Sequence, residues 1–184
     1  MKVDVKKILK PAAVLCAICI VIAALLSVTN WMTQDKIKQI NEETTAASRA
    51  LVLPGAKQFV DSKNGTYAVG KNGNDVLGYV FTTKTKSYGG DLKVMTGIDK
   101  NGKVTGVVLL TINDTPGLGL NAQDESFRNQ YLQEAPEKGF KLVKNGNAGK
   151  GQINAMTGAT ITSKAVTECV NEAVAQYQKI KEGK

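Results

Sequence analysis

Four hydroxyl side chains crowd into seven residues near the C-terminal end of the chain: Thr157, Thr160, Thr162 and Ser163, with Gly158 and Ala159 between the first two. The stretch around them, residues 154–163, reads Asn-Ala-Met-Thr-Gly-Ala-Thr-Ile-Thr-Ser. A helix pattern follows at once. From about Lys164 the apolar residues fall at Ala165, Val166, Cys169, Val170, Ala173, Val174, Tyr177 and Ile180, one face at a 3.6-residue period. Hydroxyls just before a helix can cap its open backbone N–H groups. With a glycine turn beside them, they can equally form an anion site suited to a phosphate. Spacing alone leaves both roles open.

Two further stretches have the composition of ligand loops. Ser87-Tyr88-Gly89-Gly90 lies between two strand-like segments, and paired glycines allow tight turns and close approach of backbone to a ligand. Asp114-Thr115-Pro116-Gly117-Leu118-Gly119 follows the longest strand-like run. Its Pro-Gly sets a type II turn readily. A plain connector explains either loop, but an apolar leucine between two glycines is unusual in a segment meant only for solvent. Such a loop could lay its backbone and Leu118 against a flat ring. Gly149-Lys150-Gly151 lacks the spacing and the Ser/Thr of a P-loop, which argues against nucleotide hydrolysis.

The chain has no histidine. It therefore lacks the commonest general base, the usual haem ligand and the main zinc ligand. Its three cysteines make no metal set and no disulfide framework: Cys16 and Cys19 sit inside an apolar run, and Cys169 falls on the apolar face of the last helix. The formal net charge is +8, of which Lys2, Lys6, Lys7 and Lys10 less Asp4 supply +3 before Pro11. The remainder is spread thinly, with no clustered arginine face, which argues against nucleic acid as a partner.

The elements that must position these residues can be read from pattern. Strand-like segments run over residues 67–71, 76–86, 92–99 and 103–113, the last two joined by Lys100-Asn101-Gly102, a strong hairpin signal. They predict an antiparallel sheet of about four strands. Phe127 and Tyr131, four apart, predict a short helix over 124–133; residues 140–144 read as one more strand and 145–152 as a glycine-rich loop. Strands first and helices later predict an α+β domain closed by its C-terminal helix.

Ahead of that domain stands a different kind of segment. Residues 12–28 are apolar apart from Ser27, and Trp31 lies at their far end as an interface anchor. A helix over residues 11–32 would rise about 33 Å, enough for a bilayer core of roughly 30 Å. The run is long for a signal peptide and has no clear small-x-small cleavage site after it. The reading is a cytoplasmic arm at 1–10, a single transmembrane helix at 11–32 among membrane lipids, a helical stalk at 33–53 and an extracytoplasmic domain at 54–184. The lysines before the span put the N-terminus on the cytoplasmic side.

The motifs carry a resemblance. Thr157-Gly158-Ala159-Thr160 is similar to the Ser/Thr-Gly-Ala-Thr acceptor motif of flavoproteins that hold FMN covalently through its phosphate. The stretch Tyr88-Gly89-Gly90-x-Leu-x-Val-Met-x-Gly-Ile-Asp and Thr115-Pro116-Gly117-Leu118-Gly119 resemble two further motifs of that family, in the same order. Asn154 stands where the family usually has an acidic residue, and Asp114 where it usually has Glu. The family includes the G subunits of Rnf electron-transport complexes and the C subunits of sodium-translocating NADH:quinone reductases. The latter are generally longer, so length favours the Rnf side.

The resemblance implies an electron carrier in a membrane complex that moves electrons between ferredoxin and NAD and couples this to ion transport. Its partners would be the other membrane subunits, and a flavin transferase that makes the bond from FAD. Thr160 would carry the FMN, flanked by Thr157, Gly158, Ala159, Ile161, Thr162 and Ser163. Tyr88, Gly89 and Gly90 would complete the pocket with Asp114, Thr115, Pro116, Gly117, Leu118 and Gly119. No residue of the chain would act as a catalytic acid or base, and no metal is implied. Two rival readings are a domain that binds FMN without a bond and a scaffold whose pocket is empty.

Overall fold

The computed structural model describes residues 5–62, 65–144 and 146–183, with side chains from residue 9 onward. Lys2, Asp4 and the rest of the first four residues, Asn145 and Lys184 lie outside the described residues. The chain divides into two compact units, residues 1–43 and 44–184.

The first unit is one helix. Helix α1 (Val5–Val52) is continuous and crosses the division. It begins before Pro11, so the proline lies inside it. Within residues 9–43 the large apolar side chains are exposed, Leu15, Ile20, Leu26 and Trp31 among them. By length and composition the helix can cross a membrane.

The second unit is built on a five-stranded antiparallel sheet: β1 (Gln58–Asp61), β2 (Tyr67–Asn72), β3 (Asp75–Ser87), β4 (Gly90–Asp99) and β5 (Val104–Thr111), side by side in chain order. The α+β class and the antiparallel sheet are as the sequence predicts, with one strand more. That strand, β1, is a short edge piece paired only to β2, too brief to show an alternation. The β2–β3 and β4–β5 turns fall at Gly73 and Gly102, both with positive φ. Asp99 accepts hydrogen bonds from the N–H groups of Asn101 (2.8 Å) and Lys103 (2.9 Å), which fixes the second turn.

The 13-residue β3 shows why its face is unambiguous. Phe81 and Thr83 point to one side and Val80 to the other. On the first side lies the main core, where Phe81, Leu92, Val94 and Ile98 meet Val166, Val170, Ala173 and Tyr177 of helix α3 (Thr160–Lys181). Burying side chains of this size contributes roughly 1.5–3 kcal/mol each. All of the apolar stripe read along α3 is buried except Ile180, which is partly so.

On the other side the end of α1 closes a smaller core of Val52, Leu53, Ala68, Val80 and Met95. Gly97 and Gly106 face each other across β4 and β5 there. A Cβ on Gly106 would lie 2.5 Å from the Val52 Cα, and one on Gly97 would collide with the Val52 carbonyl. The backbone of α1 thus seats directly on the sheet, and Thr105 Oγ1 donates to the Val52 oxygen at 2.5 Å.

Residues 119–131 differ from the single short helix expected over 124–133. They form a 3-10 turn (Gly119–Gln123), one turn of α-helix, α2 (Glu125–Arg128), and a second 3-10 turn (Asn129–Tyr131). Packing explains the break: Phe127 and Tyr131 are both buried, with ring centroids 5.8 Å apart edge to face, and Arg128 is drawn to the carbonyls of Gln123 and Val107. Strands β6 (Lys141–Val143) and β7 (Gln152–Asn154) pair in parallel as a separate small sheet. Strand β7 lies at the end of what the sequence presents as loop.

Candidate functional site

Helix α3 starts at Thr160, four residues ahead of the start read from the apolar period. Thr160, Thr162 and Ser163 therefore lie inside its first turns rather than before them. None of them caps it: the N-cap residue is Ala159, and no side chain bonds the free N–H groups. Ser163 Oγ instead accepts from the Met156 N–H at 3.0 Å and donates to the Ala159 carbonyl at 2.9 Å. Thr162 Oγ1 donates to Asp114 Oδ2. Tertiary and local partners thus carry the helix start back through residues that periodicity does not claim. Among the described residues, the N–H groups of Thr160, Ile161 and Thr162 meet no acceptor. They form an open positive helix end of the kind that takes a phosphate.

Gly158, with φ +76°, turns the chain into that helix. The Leu118 methyl lies 3.0 Å from where its Cβ would be, so the loop after β5 rests on the glycine turn. Leu118 and the helix start enclose a cavity of about 470 Å³ lined by Tyr88, Asp114, Thr115, Leu118, Gly119 and residues 158–162. Its size is within the range of cofactor and small-molecule sites. Tyr88, Leu118 and Ile161 are exposed at 72%, 45% and 58%, so the lip is apolar while the floor carries hydroxyls and backbone N–H groups. That division suits a ligand with a flat apolar ring at one end and a phosphate at the other.

Asp114 ties the site together. It is buried, and its carboxylate accepts from Ser87 Oγ at 2.5 Å, from the Gly89 N–H at 2.6 Å and from Thr162 Oγ1. Burial raises its pKa, but the bonds from Ser87, Thr162 and the Gly89 N–H outweigh burial and leave it below the ordinary carboxylate value. The two glycines beside it are needed for space. A Cβ on Gly119 would come within 2.5 Å of Asp114 Oδ2 and 2.6 Å of Thr162 Oγ1; one on Gly89 would come within 2.8 Å of Asp114 Oδ1.

Of the residues singled out from sequence, Gly89, Gly90, Pro116, Gly117, Thr157 and Ser163 do not line the cavity; the others do. Gly90 and Gly117 hold their turns at positive φ, Thr157 is exposed, and Ser163 is buried behind the wall. Ser87 is not among them, although it opens the Ser-Tyr-Gly-Gly stretch and bonds Asp114. Asn154 lies in β7, where its backbone N–H and carbonyl meet the Gln130 amide. Its side-chain oxygen is buried with no partner.

Similarities to known proteins bear on this arrangement. Residues 87–175 match the FMN-binding domain family, and residues 1–51 match the RnfG N-terminal region. The G subunit of the Na(+)-translocating ferredoxin:NAD(+) oxidoreductase complex of Acetobacterium woodii is 33% identical to this chain, over 98% of this chain and 96% of that one. The chain belongs to the RnfG family. A second relative in that family, the G subunit of the proton-translocating ferredoxin:NAD(+) oxidoreductase complex of Clostridium ljungdahlii, is 39% identical over 90% of this chain and 86% of its own. The fold is shared more widely. The C subunit of the Na(+)-translocating NADH-quinone reductase of Parabacteroides distasonis superposes with a TM-score of 0.51 at 23% identity, over 61% of this chain and 60% of that one.

Proposed function

We propose that the chain is a membrane-anchored electron-transfer subunit of an ion-translocating ferredoxin:NAD oxidoreductase complex of the Rnf type, and that it carries FMN as a phosphoester on Thr160. The family supplies the class of complex. One observation carries the attachment site. Of the four clustered hydroxyls, those of Thr162 and Ser163 are engaged, Thr157 stands outside the cavity, and Thr160 lines it at the open helix end, its hydroxyl meeting no partner among the described residues.

The residues present fit the cofactor. The free N–H groups of Thr160 to Thr162 suit its phosphate, and the lip of Tyr88, Leu118 and Ile161 suits its ring. FMN, when bound, supplies one- and two-electron chemistry. The chain needs no acid or base for that and has no histidine. In the attachment step, the Thr160 oxygen bonds to the FMN phosphorus of FAD. The pyrophosphate bond breaks, AMP leaves, and the hydroxyl proton is lost with it. A flavin transferase partner would bring FAD to the site.

Intact-mass spectrometry on protein co-produced with the transferase tests the reading. The wild type should be heavier by FMN less one water, and Thr160→Val should lack that increment. The variant's stability should stay within about 1 kcal/mol of wild type, since only an unpaired hydroxyl is lost. An increment that persists in Thr160→Val, or flavin mapped to Thr157, would overturn the assignment.

The anchor reading rests on the apolar run of α1 and the lysines ahead of that run: N-terminus in the cytoplasm, the domain from residue 54 onward outside it, other Rnf-type membrane subunits and lipid around the span. Protease added to intact spheroplasts should remove the domain and leave a short membrane fragment. Full protection of the domain would reverse the orientation.

A further inference from the structure

Asp114, in the loop after β5, offers its carboxylate to two other chain segments: the end of β3 and the turn after it through Ser87 and Gly89, and the first turn of α3 through Thr162. No basic side chain is within ion-pair distance of it among the described residues. Its charge is met by three hydrogen-bond donors alone. A buried carboxylate without those donors would be strongly disfavoured, so the arrangement holds only while all three point inward.

One consequence concerns the choice between hydroxyls. Thr160 and Thr162 are two residues apart in one helical turn, and both line the same cavity. They differ in that Thr162 Oγ1 has its proton committed to Asp114 Oδ2, whereas Thr160 Oγ1 has no partner among the described residues. Thr162 is 1% exposed, and the Asp114 contact holds its hydroxyl against the loop. Gly119, where a Cβ would collide with both side chains, leaves the room that contact needs.

We propose that Asp114 is a positioning residue that decides which hydroxyl of the α3 turn is esterified: it withholds Thr162 and, by seating the Ser87–Gly89 turn, frames the cavity around Thr160. The inference rests on the covalent reading above and goes beyond it, because nothing in that reading requires a carboxylate at this place. In Asp114→Asn the amide has one acceptor oxygen for three donors. Gly89 N–H and Ser87 claim that oxygen, and the amide NH₂ then faces Thr162, whose hydroxyl must accept rather than donate. Its proton is free, and the wall between the two hydroxyls is loosened.

The test is a peptide map of the flavin on full-length protein co-produced with the flavin transferase, together with hydrogen exchange on flavin-free protein. Wild type should carry FMN on Thr160 alone. Asp114→Asn should show the Thr160 share reduced at least threefold, with flavin on Thr162. Asp114→Asn combined with Thr162→Val should restore Thr160 to wild-type occupancy, which general damage to the pocket by the loss of Asp114 would not allow. Amide exchange at Gly89 and in the first turn of α3 should rise together in Asp114→Asn by tenfold or more, and stay at the wild-type rate in β3 and β4. Asp114→Asn labelled on Thr160 alone at wild-type occupancy overturns the inference and leaves the covalent reading standing. A wild type with no FMN mass overturns that reading, and the hydroxyl choice with it. If Asp114→Asn does not fold, Asp114→Glu, which keeps the carboxylate, carries the test: labelling confined to Thr160 supports the inference, and spread to Thr162 overturns it.

Discussion

Two helix ends meet the same sheet and are finished in opposite ways. The C-terminal end of α1 is closed by protein. Its Val52 carbonyl accepts from Thr105, the Leu53 N–H bonds the Arg49 carbonyl, and the backbone is pressed onto Gly97 and Gly106 with no space between. The N-terminal end of α3 is left open. Among the described residues three N–H groups have no acceptor, the N-cap is an alanine, and a cavity stands in front. Helix ends carry unsatisfied polar groups whatever their sequence. Where protein does not satisfy them, water or a ligand takes their place. Glycine serves both ends differently. Gly97 and Gly106 admit a helix backbone, and Gly89 and Gly119 admit the carboxylate that organises a pocket.

The comparison can be broken most severely at the closed end. Gly97→Val would drive a branched side chain into the Val52 carbonyl, which belongs to backbone and cannot swing aside. Overpacking of this kind should cost about 3 kcal/mol, read as a lower denaturant midpoint for the sheet domain within the full chain. An unchanged midpoint would mean that α1 does not seat on the sheet.

At the open end a substitution should cost function more than stability. Gly117 has φ +76° and open space around it, so Gly117→Val meets no neighbour but must adopt a conformation that branched residues disfavour. The strain is of order 1–3 kcal/mol and local to the loop. Flavin incorporation should fall severalfold while α1 still inserts. Unchanged incorporation would reduce the loop to a connector.

The smallest effect sharpens the contrast through pH. Burial raises the Asp114 carboxyl, and its hydrogen bonds more than offset that, so its pKa is lowered in the folded protein. Its stabilisation is therefore present above the ordinary carboxylate value of 3.8 and is lost as pH falls from there through the lower folded value. Unfolding midpoints of wild type and Asp114→Asn should converge across that acid window and diverge above it. Glu134 is lowered too, by the hydrogen bond and charge of Lys150, but it is exposed and present in both proteins, so the difference cancels it. Parallel curves would remove Asp114 from the account of the acid limb.

Much of the architecture is legible in the sequence, because it depends on periods that the chain states outright. The stripe from Ala165 to Tyr177 marks α3, the Asn101-Gly102 pair marks the β4–β5 hairpin, and the long apolar run marks α1. Those signals are local and repeat over many residues. Of the short strands β6 is read, but β1 and β7, with four and three residues, are silent, too brief for an alternation to stand out. The break between α2 and the turn after it is hidden because Arg128 and Tyr131 answer to partners in β5 and α3 rather than to their neighbours.

By itself the sequence determined the class of the long elements, the three motifs and the candidate hydroxyls, since residue type and spacing are all that those require. It could not say which hydroxyl is free. Thr160 and Thr162 are the same residue two positions apart, and it is a carboxylate 48 residues from Thr162 in the chain that engages one hydroxyl and not the other. Nor could it say that α3 begins at Thr160, because the bonds of Thr162 and Ser163 reach outside the helix. Tertiary structure decided both. Hydrogen bonds between distant segments depend on which backbones the sheet and its glycines bring together, and no local pattern in the chain records that distance.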